Sequence, residues 1–455
     1  MTATTRAARP LTRDAHRIAR PANPLTRRRG PILGPVVALI AAAILASCGS
    51  SPATATPPPA TPTIPASPAA SPTPTVPAAS LYPIPTSQFA TPAPAAAVSN
   101  DATSAALQAA LDSLRSAGAY PGVSAAVEFP DGSVWTGQSG LAVTATKAAV
   151  TADTLFSVGS ISKTLVAALI CRLAIRGTLS LDDPLSKYVP DFANASNITL
   201  RQLLNHTSGI DDLFDSSGSI PAALAAHPAA AWTPNQVLAQ IGNPKFAPGA
   251  GYYYSNTDFV LLGLVIEKAT GKPLANLVRS ELLTPLGLGH TFYQVTETPT
   301  GPEAHGYLKP VSSPHDDSAG SMIPFTAEVT AAGAAGAYVS NASDLARWAT
   351  ALYGGNVLDL ATLASMTDIS QTLSFARKPF GSGYGFGFEE TTLAGQVAWG
   401  HRGHLDGFWS AMWYLPATHL TVVVLTNADW ADPVSAAATL AGVALTPPPA
   451  ASPNS

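Results

Sequence analysis

The spacing of hydrophobic and polar positions predicts a domain whose two ends both contribute strands. Residues 101–118 have the apolar spacing of an amphipathic helix and end at Gly118. Two strand-like runs follow, GVSAAVEF and SVWTGQSG, and the PDG between them predicts a β-hairpin. Near the other end come three further strand-like runs and a helical one: GQVAWGH, GFWSAMWYLP, LTVVVLTN and DPVSAAATLAGVAL.

The long middle section, about 160–345, instead shows helical patterns separated by loops rich in proline and glycine. Strands at both ends with helices between them predict an α/β fold of the α+β type, with one sheet built from both termini around a helical insertion. At about 345 residues, this folded part (101–445) is larger than one simple core usually supports. A functional site is therefore expected where two lobes meet.

Residues 1–48 have the pattern of an export signal. The basic stretch Arg27–Arg29 precedes an apolar stretch (about 32–46) that is shorter than the roughly 20 residues of a membrane span. It ends in LASC, which resembles the bacterial lipobox and implies a lipoprotein signal peptide with a diacylated Cys48. Two acyl chains would hold the exported protein at the outer face of the cell membrane. The alternative is an ordinary cleaved signal with a chance cysteine.

Composition changes again after Cys48. Residues 49–100 contain fourteen prolines and no charge, which predicts a disordered linker reaching roughly 160 Å when fully extended. Residues 446–455 are predicted to form a disordered tail.

The charges are distributed unevenly along the chain. Residues 1–48 hold eight of the 24 basic and one of the 28 acidic residues, so the remainder has 16 basic and 27 acidic residues, a net charge of −11. Nucleic acid is therefore not an expected partner.

The first candidate for chemistry is the segment FSVGSISK, in which Ser160 stands three residues before Lys163. The following run is apolar on nearly all faces and ends near Gly177, so its helix should be buried, with Ser160 in the first turn. A buried lysine loses its charge readily and can accept the proton of a neighbouring serine hydroxyl. The alternative is a helix cap and a surface lysine whose ammonium reaches water.

Two later fragments supply further polar groups. Tyr254 and Asn256 end a glycine-rich loop and open an apolar helix. A tyrosine near a lysine cation is expected to have a lowered pKa and to serve as general base, whereas by itself it would be a packed loop ring with Asn256 as a cap. The third fragment, WGHRGHLDGF, places His401 and Gly403 on a strand, where a glycine lets a substrate backbone approach closely.

These three fragments, in this order, resemble the SxxK, YxN and K/H-T-G motifs of serine β-lactamases and penicillin-recognising D-alanyl-D-alanine peptidases. ITLRQLLNHTSGI, VLLGLVIEKATGKPL, AAGAAGAYVSNASDLARW and GYGFGF fit the same family. The resemblance covers about 105–440. It implies an antiparallel sheet flanked by helices and joined to an all-helical lobe.

The resemblance also implies roles. Ser160 is the acylated nucleophile, Lys163 its activating amine, Tyr254 the general base and leaving-group acid, and Asn256 a cleft residue, while His401 takes the place of the third-motif lysine or histidine. The backbone N–H groups of Ser160 and His404 would form the oxyanion hole.

One departure concerns the middle of the third motif, beside Gly403, where the family usually has threonine or serine and this chain has Arg402. Arginine can pair with a substrate carboxylate or point into solvent, so the specificity for β-lactams or D-alanyl peptides is open. Acyl transfer itself is unaffected.

The expected function is a serine hydrolase with an acyl-enzyme on Ser160, resembling a D-alanyl-D-alanine carboxypeptidase or a β-lactamase. The substrate would be a peptidoglycan stem peptide, a β-lactam or an ester. An esterase or amidase of the same family and a catalytically idle peptidoglycan-binding lipoprotein are the alternatives.

No cofactor or metal is expected, because His401 and His404 should face opposite sides of a strand. His206 in NHTSG is interpreted as a packing residue of a turn, GSGYGFGF as a strand and Cys171 as an inert buried thiol.

Overall fold

A computed structural model describes residues 101–215, 218–308, 315–316, 326–375 and 381–446. The predicted signal peptide (1–48), the linker (49–100) and residues 447–455 of the predicted tail lie outside the described residues. Over the described ranges, every helix is too short or too polar to cross a bilayer.

The helices lie mainly between two groups of strands. The α-helices are α1 (Asp101–Gly118), α2 (Ser162–Ile175), α3 (Leu200–Leu204), α4 (Ile220–Ala226), α5 (Pro234–Leu238), α6 (Asn256–Thr270), α7 (Leu274–Val278), α8 (Thr326–Ala332), α9 (Ala342–Tyr353), α10 (Leu360–Met366), α11 (Ser370–Leu373) and α12 (Pro433–Leu445). The strands are β1 (Gly122–Glu128), β2 (Val134–Val143), β3 (Ala148–Ala149), β4 (Phe156–Ser157), β5 (Phe292–Tyr293), β6 (Tyr307–Leu308), β7 (His315–Asp316), β8 (Tyr338–Ser340), β9 (Gly383–Tyr384), β10 (Glu389–Leu393), β11 (Gln396–Leu405), β12 (Phe408–Leu415) and β13 (Leu420–Thr426).

The main sheet joins the two ends of the described domain. Its eight strands run in the order β3-β2-β1-β13-β12-β11-β10-β9 and pair antiparallel throughout. The two ends of the chain meet where β1 pairs with β13, with Val123 opposite Thr426. The predicted hairpin, the three late strands and the two terminal helices are all confirmed, and so is the α/β fold with an antiparallel sheet flanked by helices.

Each face of this sheet is covered by a separate apolar layer. One layer contains α1 and α12, whose Leu107, Leu111 and Leu440 are fully buried together with Val422 and Val424 of β13. The other, larger layer contains α2, α6 and α9 and forms a single core with the opposite side of the sheet. Because both faces are covered, β13 is buried along its whole length and is mostly apolar.

The interpretation of GSGYGFGF as a strand is largely wrong. Only Gly383–Tyr384 are extended, and Gly387 has a φ of +64°, so the chain turns before β10 begins at Glu389. A side chain at position 387 would meet Ala167 and the carbonyl of Lys163, which explains why the turn contains glycine there. The turn packs directly against α2.

Candidate active site

Ser160 lies in a 3₁₀ turn (Gly159–Ile161) that leads directly into α2. Gly159 has a φ of +51°, and a Cβ there would come within 2.6 Å of the His404 nitrogen, so β11 runs against the backbone beside Ser160. The helix itself is buried from Ser162 to Leu173 and ends two residues before Gly177, as the sequence predicts.

The amine of Lys163 is completely buried and surrounded by three acceptors. Its Nζ lies 2.9 Å from Ser160 Oγ, 2.7 Å from Asn256 Oδ1 and 2.9 Å from the carbonyl oxygen of Ala335. Burial lowers the pKa of Lys163 to about 7, against the opposing pull of the carboxyl groups of Asp212, Glu389 and Asp258. Near neutral pH a large fraction of Lys163 is therefore an uncharged amine, which can accept the proton of Ser160.

The hydroxyl of Tyr254 donates a hydrogen bond to Ser160 Oγ over 2.7 Å. Lys163 Nζ lies 4.9 Å from the centre of the tyrosine ring. The expected lowering of the Tyr254 pKa is wrong, because burial raises this pKa well above its usual value. The loss of contact with water outweighs the hydrogen bond to Ser160, which lowers this pKa. Tyr254 is thus a protonated phenol, suited to donate a proton.

Asn256 is oriented by a carboxyl group that sequence reasoning did not identify. Its backbone N–H and its Nδ2 both donate to Asp212 Oδ1, over 2.8 and 3.0 Å. The amide oxygen is thereby directed at Lys163. Burial raises the pKa of Asp212, while the bonds from Asn256 lower it. The two acidic residues after NHTSGI, Asp211 and Asp212, were the sequence signal that could have identified it. Ser255 is the N-cap of α6, so Asn256 is not the cap.

The resemblance implies that His401 of the third fragment belongs to the catalytic site, but the structure places its side chain elsewhere. His401 is fully buried, bonds to the Tyr384 hydroxyl over 3.1 Å and does not line the cavity at Ser160. Arg402 directs its Nε to both oxygens of buried Glu389, over 3.1 and 3.4 Å. The Glu389 pKa rises to about 7 because burial outweighs the arginine.

Gly403 and His404 bring β11 close to Ser160. A Cβ at Gly403 would lie 1.9 Å from the carbonyl oxygen of Val158, so this glycine admits the protein's own backbone rather than the expected substrate strand. His404 adjoins Gly159 through its main chain. Its side chain lies at the cavity, with Nε2 2.6 Å from Asp429 Oδ1.

A row of buried polar residues lies behind Tyr254. His206 bonds to Asp258 and Tyr384 through its two ring nitrogens, over 2.9 and 3.1 Å. Its ring centre is 4.5 Å from that of Tyr254. The interpretation of His206 as a packing residue was therefore incomplete. Sequence reasoning missed Asp258 and Tyr384 altogether, since each lies in an otherwise apolar or glycine-rich run.

A cavity of about 650 Å³ opens at Ser160. Its lining is mostly apolar and includes no lysine or arginine among the described residues: Ser160, Phe214, Pro221, Leu224, Ala225, Pro228, Tyr254, Asn256, Leu308, Ala327, Glu328, Ala332, Gly336, His404, Leu405 and Asp406. The apolar part of this lining suits an apolar group of a substrate.

Three residues at the cavity mouth bring metal-type ligand atoms together. One atom each from His404, Asp406 and Asp429 lie within 4.8 Å of one another. His401 is not among them and lies on the opposite face of β11, as expected from strand alternation. The His404 side chain is already hydrogen-bonded to Asp429 at a partly exposed position. Cys48 lies outside the described residues. Cys171 is buried, and burial raises its pKa to about 12.

The folded part of the chain is similar to several known proteins. A protein-family profile described as Beta-lactamase matches residues 107–445. Penicillin-binding protein 4 of Amycolatopsis lactamdurans is 29% identical over 338 residues, which are 70% of this chain and 84% of that protein. Esterase EstB of Burkholderia gladioli is 30% identical over 307 residues, 60% of this chain and 78% of the esterase. The structure of a D-stereospecific amidohydrolase from Streptomyces sp. has a TM-score of 0.63 at 32% identity, covering 74% of this chain and 96% of that one.

Proposed function

We propose that this chain, which belongs to the beta-lactamase family of serine hydrolases, hydrolyses uncharged esters or amides with an apolar acyl group through an acyl-enzyme on Ser160. The observation that carries the proposal is the placement of Ser160 Oγ between the Lys163 amine, 2.9 Å away, and the Tyr254 hydroxyl, 2.7 Å away. A nucleophile, a base and an acid are thus in contact before any substrate binds.

In the acylation step, uncharged Lys163 accepts the Ser160 hydroxyl proton while Oγ attacks the substrate carbonyl carbon. The backbone N–H groups of Ser160 and His404 are proposed to stabilise the resulting oxyanion. Support for this pairing is the close approach of the His404 main chain to Gly159.

As the carbonyl bond breaks, Tyr254 gives its phenolic proton to the leaving oxygen or nitrogen, and the proton held by Lys163 replaces it. The raised pKa of Tyr254 supports this acid role. Water then attacks the acyl-enzyme and passes a proton to the same pair of groups, which restores Ser160. Asn256 and Asp212 hold the amine in place throughout.

The substrate class follows from Arg402 and from the cavity. A substrate carboxylate would have to compete with the buried Glu389 carboxyl group for the Arg402 guanidinium. The cavity wall next to Ser160 is formed largely by apolar side chains such as Phe214, Leu224 and Leu405. Removing an apolar acyl group from water favours binding there.

The test compares an uncharged ester with a carboxylate-bearing substrate. The wild-type chain should hydrolyse p-nitrophenyl butyrate, and Ser160→Ala should reduce kcat by at least about 10³-fold while leaving thermal unfolding unchanged. Intact mass measured during turnover should show a butyryl adduct on the wild type alone. Unchanged hydrolysis in Ser160→Ala would exclude Ser160 as the nucleophile.

A D-alanyl-D-alanine carboxypeptidase is the second candidate. It is favoured by the similarity to penicillin-binding protein 4, which extends over 84% of that relative. Here the substrate would be a peptidoglycan stem peptide. Incubation with benzylpenicillin distinguishes the two candidates: a lasting adduct, absent in Ser160→Ala, together with release of D-alanine from a D-alanyl-D-alanine peptide, would favour the peptidase.

We also propose that Cys48 is diacylated and that the linker (49–100) holds the catalytic domain outside the membrane. The lipobox-like LASC supports this proposal. In cells fed a radiolabelled fatty acid, the wild-type chain should carry label and sediment with membranes. Cys48→Ser should lose both properties, whereas labelling of Cys48→Ser equal to wild type would contradict the proposal.

A further inference from the structure

Four buried residues behind the candidate active site are connected in series. Asp258 of α6 bonds to His206, His206 to Tyr384 of β9, and Tyr384 to His401 of β11, over 2.9, 3.1 and 3.1 Å. All four side chains have at most 1% of their surface exposed. They come from separate elements, so this series, the buried relay, links parts of the fold that are distant in sequence.

One end of the relay fixes the direction of every hydrogen bond. The carbonyl oxygen of Arg402 only accepts, so His401 Nδ1 must carry a proton and donate to it. In a neutral His401, Nε2 is then an acceptor, and the Tyr384 hydroxyl donates to it. Tyr384 has a single proton, so its oxygen accepts from His206 Nε2–H. The Nδ1 of a neutral His206 is therefore an acceptor as well.

The contacts at the far end agree with this direction. The backbone N–H of Ser255 also points at His206 Nδ1, from 3.4 Å, so the single lone pair of this acceptor is shared with the closer Asp258. The remaining bond, to Asp258 Oδ2, then requires a protonated carboxyl group as donor. The other oxygen of Asp258 accepts from the Ser208 hydroxyl over 2.6 Å. With one proton in each hydrogen bond, every group of the series has a donor or acceptor partner, and none of the four side chains carries a formal charge.

The surroundings favour the uncharged form. Burial lowers the pKa of His206 and of His401 and raises that of Asp258. Lys163 faces both imidazoles and Arg402 faces His401, so a further positive charge there would be repelled. Asp212 opposes ionisation of Asp258 more strongly than Lys163 favours it. Ionised groups without water are costly, whereas a fully bonded neutral network is not.

We propose that Asp258, His206, Tyr384 and His401 form one directed, uncharged hydrogen-bond chain that positions Tyr254 against Ser160. The Tyr254 ring packs on His206 with a centroid distance of 4.5 Å and lies 5.9 Å from Tyr384 and 6.2 Å from His401. These residues are positioning residues and act on the reaction through Tyr254. His206 has a φ of +60°, a costly conformation for a residue with a Cβ, and its two ring hydrogen bonds offset that cost. The kinetic part of the proposal rests on the proposed function.

The protonation pattern is tested by nitrogen-15 NMR on the full chain labelled at histidine. His401 should show the neutral Nδ1–H form and His206 the neutral Nε2–H form at pH 7. Asp258→Asn should leave the His206 form unchanged, because the new amide still donates to Nδ1 and accepts from Ser208. A charged imidazolium at His206 in the wild type, converted to neutral by Asp258→Asn, would overturn the proposal.

The positioning role is tested by Tyr384→Phe, with Tyr353→Phe as the matched control. Tyr353 is also buried, but its hydroxyl has no hydrogen-bond partner among the residues that the structure describes. With ethyl butyrate, whose leaving alkoxide needs a proton, Tyr384→Phe should lower kcat about tenfold or more with KM within about twofold, since a small displacement of Tyr254 slows proton transfer more than binding. Equal kinetics in the two variants would refute the role. The NMR result does not depend on turnover, so it stays informative if the substrate assignment fails.

Discussion

At the scale of single residues, burial determines what each group of the site can do. Lys163 is fully buried and Tyr254 is partly exposed at the cavity, and their removal from water moves the two pKa values in opposite directions, toward the uncharged amine and the uncharged phenol. The spacing of the motifs predicted that these side chains meet. It did not predict that the pKa of Tyr254 is raised rather than lowered, because a sequence pattern does not report how far a side chain is removed from water.

The pH dependence of acylation should report Lys163. Only the free amine can take the Ser160 proton, so kcat/KM for an uncharged ester should fall as pH drops through about 7, the pKa of Lys163, and level off above it. Stopped-flow rates between pH 5 and 9 measure this limb. A profile that is flat through pH 7, with the fold intact, would contradict the assignment of Lys163 as base.

Asp212 offers a second prediction at this scale. Asp212→Ala removes the acceptor for both N–H groups of Asn256, so the amide is free to rotate away from Lys163. We expect kcat to fall by roughly 10- to 100-fold. Asp182→Ala, which removes an exposed carboxylate paired with Arg201, is the control and should change kcat by less than about twofold. If the two substitutions lowered kcat equally, Asp212 would have no part in orienting the Asn256 amide.

At the scale of elements, the sequence predicted the terminal helices, the hairpin and the late strands because these segments have regular apolar periods. The buried relay escaped prediction for the opposite reason. The bonds that join His206, Asp258, Tyr384 and His401 span 17 to 178 positions of sequence, in segments whose pattern is dominated by packing. Only the register of β9 and β11 against the helices brings them together.

The contact between the Ser160 turn and β11 gives a prediction about glycine. Gly159→Ala introduces a Cβ 2.6 Å from the His404 nitrogen, in a backbone conformation that alanine disfavours by roughly 1–2 kcal/mol. Gly177→Ala has a similar positive φ but no atom within 4 Å of the new Cβ. Both variants should be less stable, but only Gly159→Ala should lose activity, which urea unfolding and ester turnover measure together. Normal turnover by Gly159→Ala would show that this contact is dispensable.

At the scale of the whole molecule, the sheet separates a structural layer from a catalytic one. Leu440→Ala, in the layer formed by α1 and α12, should cost about 2–5 kcal/mol because it leaves a cavity in a fully buried position. The folded fraction should keep the wild-type kcat, since Ser160 lies across the sheet. Leu360→Ala, at a side chain that is 77% exposed, should leave stability nearly unchanged. A large loss of kcat in folded Leu440→Ala would show that the two layers are coupled.

The pairing of β1 with β13 also determines when, during synthesis of the chain, the candidate site can form. His404, whose main chain adjoins the Ser160 turn, follows Ser160 by 244 positions, and the sheet is not continuous until β13 is present. Pairings between such distant segments form slowly. A growing chain therefore carries Ser160 while a further 244 residues are added before His404 can reach it. We expect activity only after β13 has been made, so a chain released before β13 would hold Ser160, Lys163 and Tyr254 and yet be inactive.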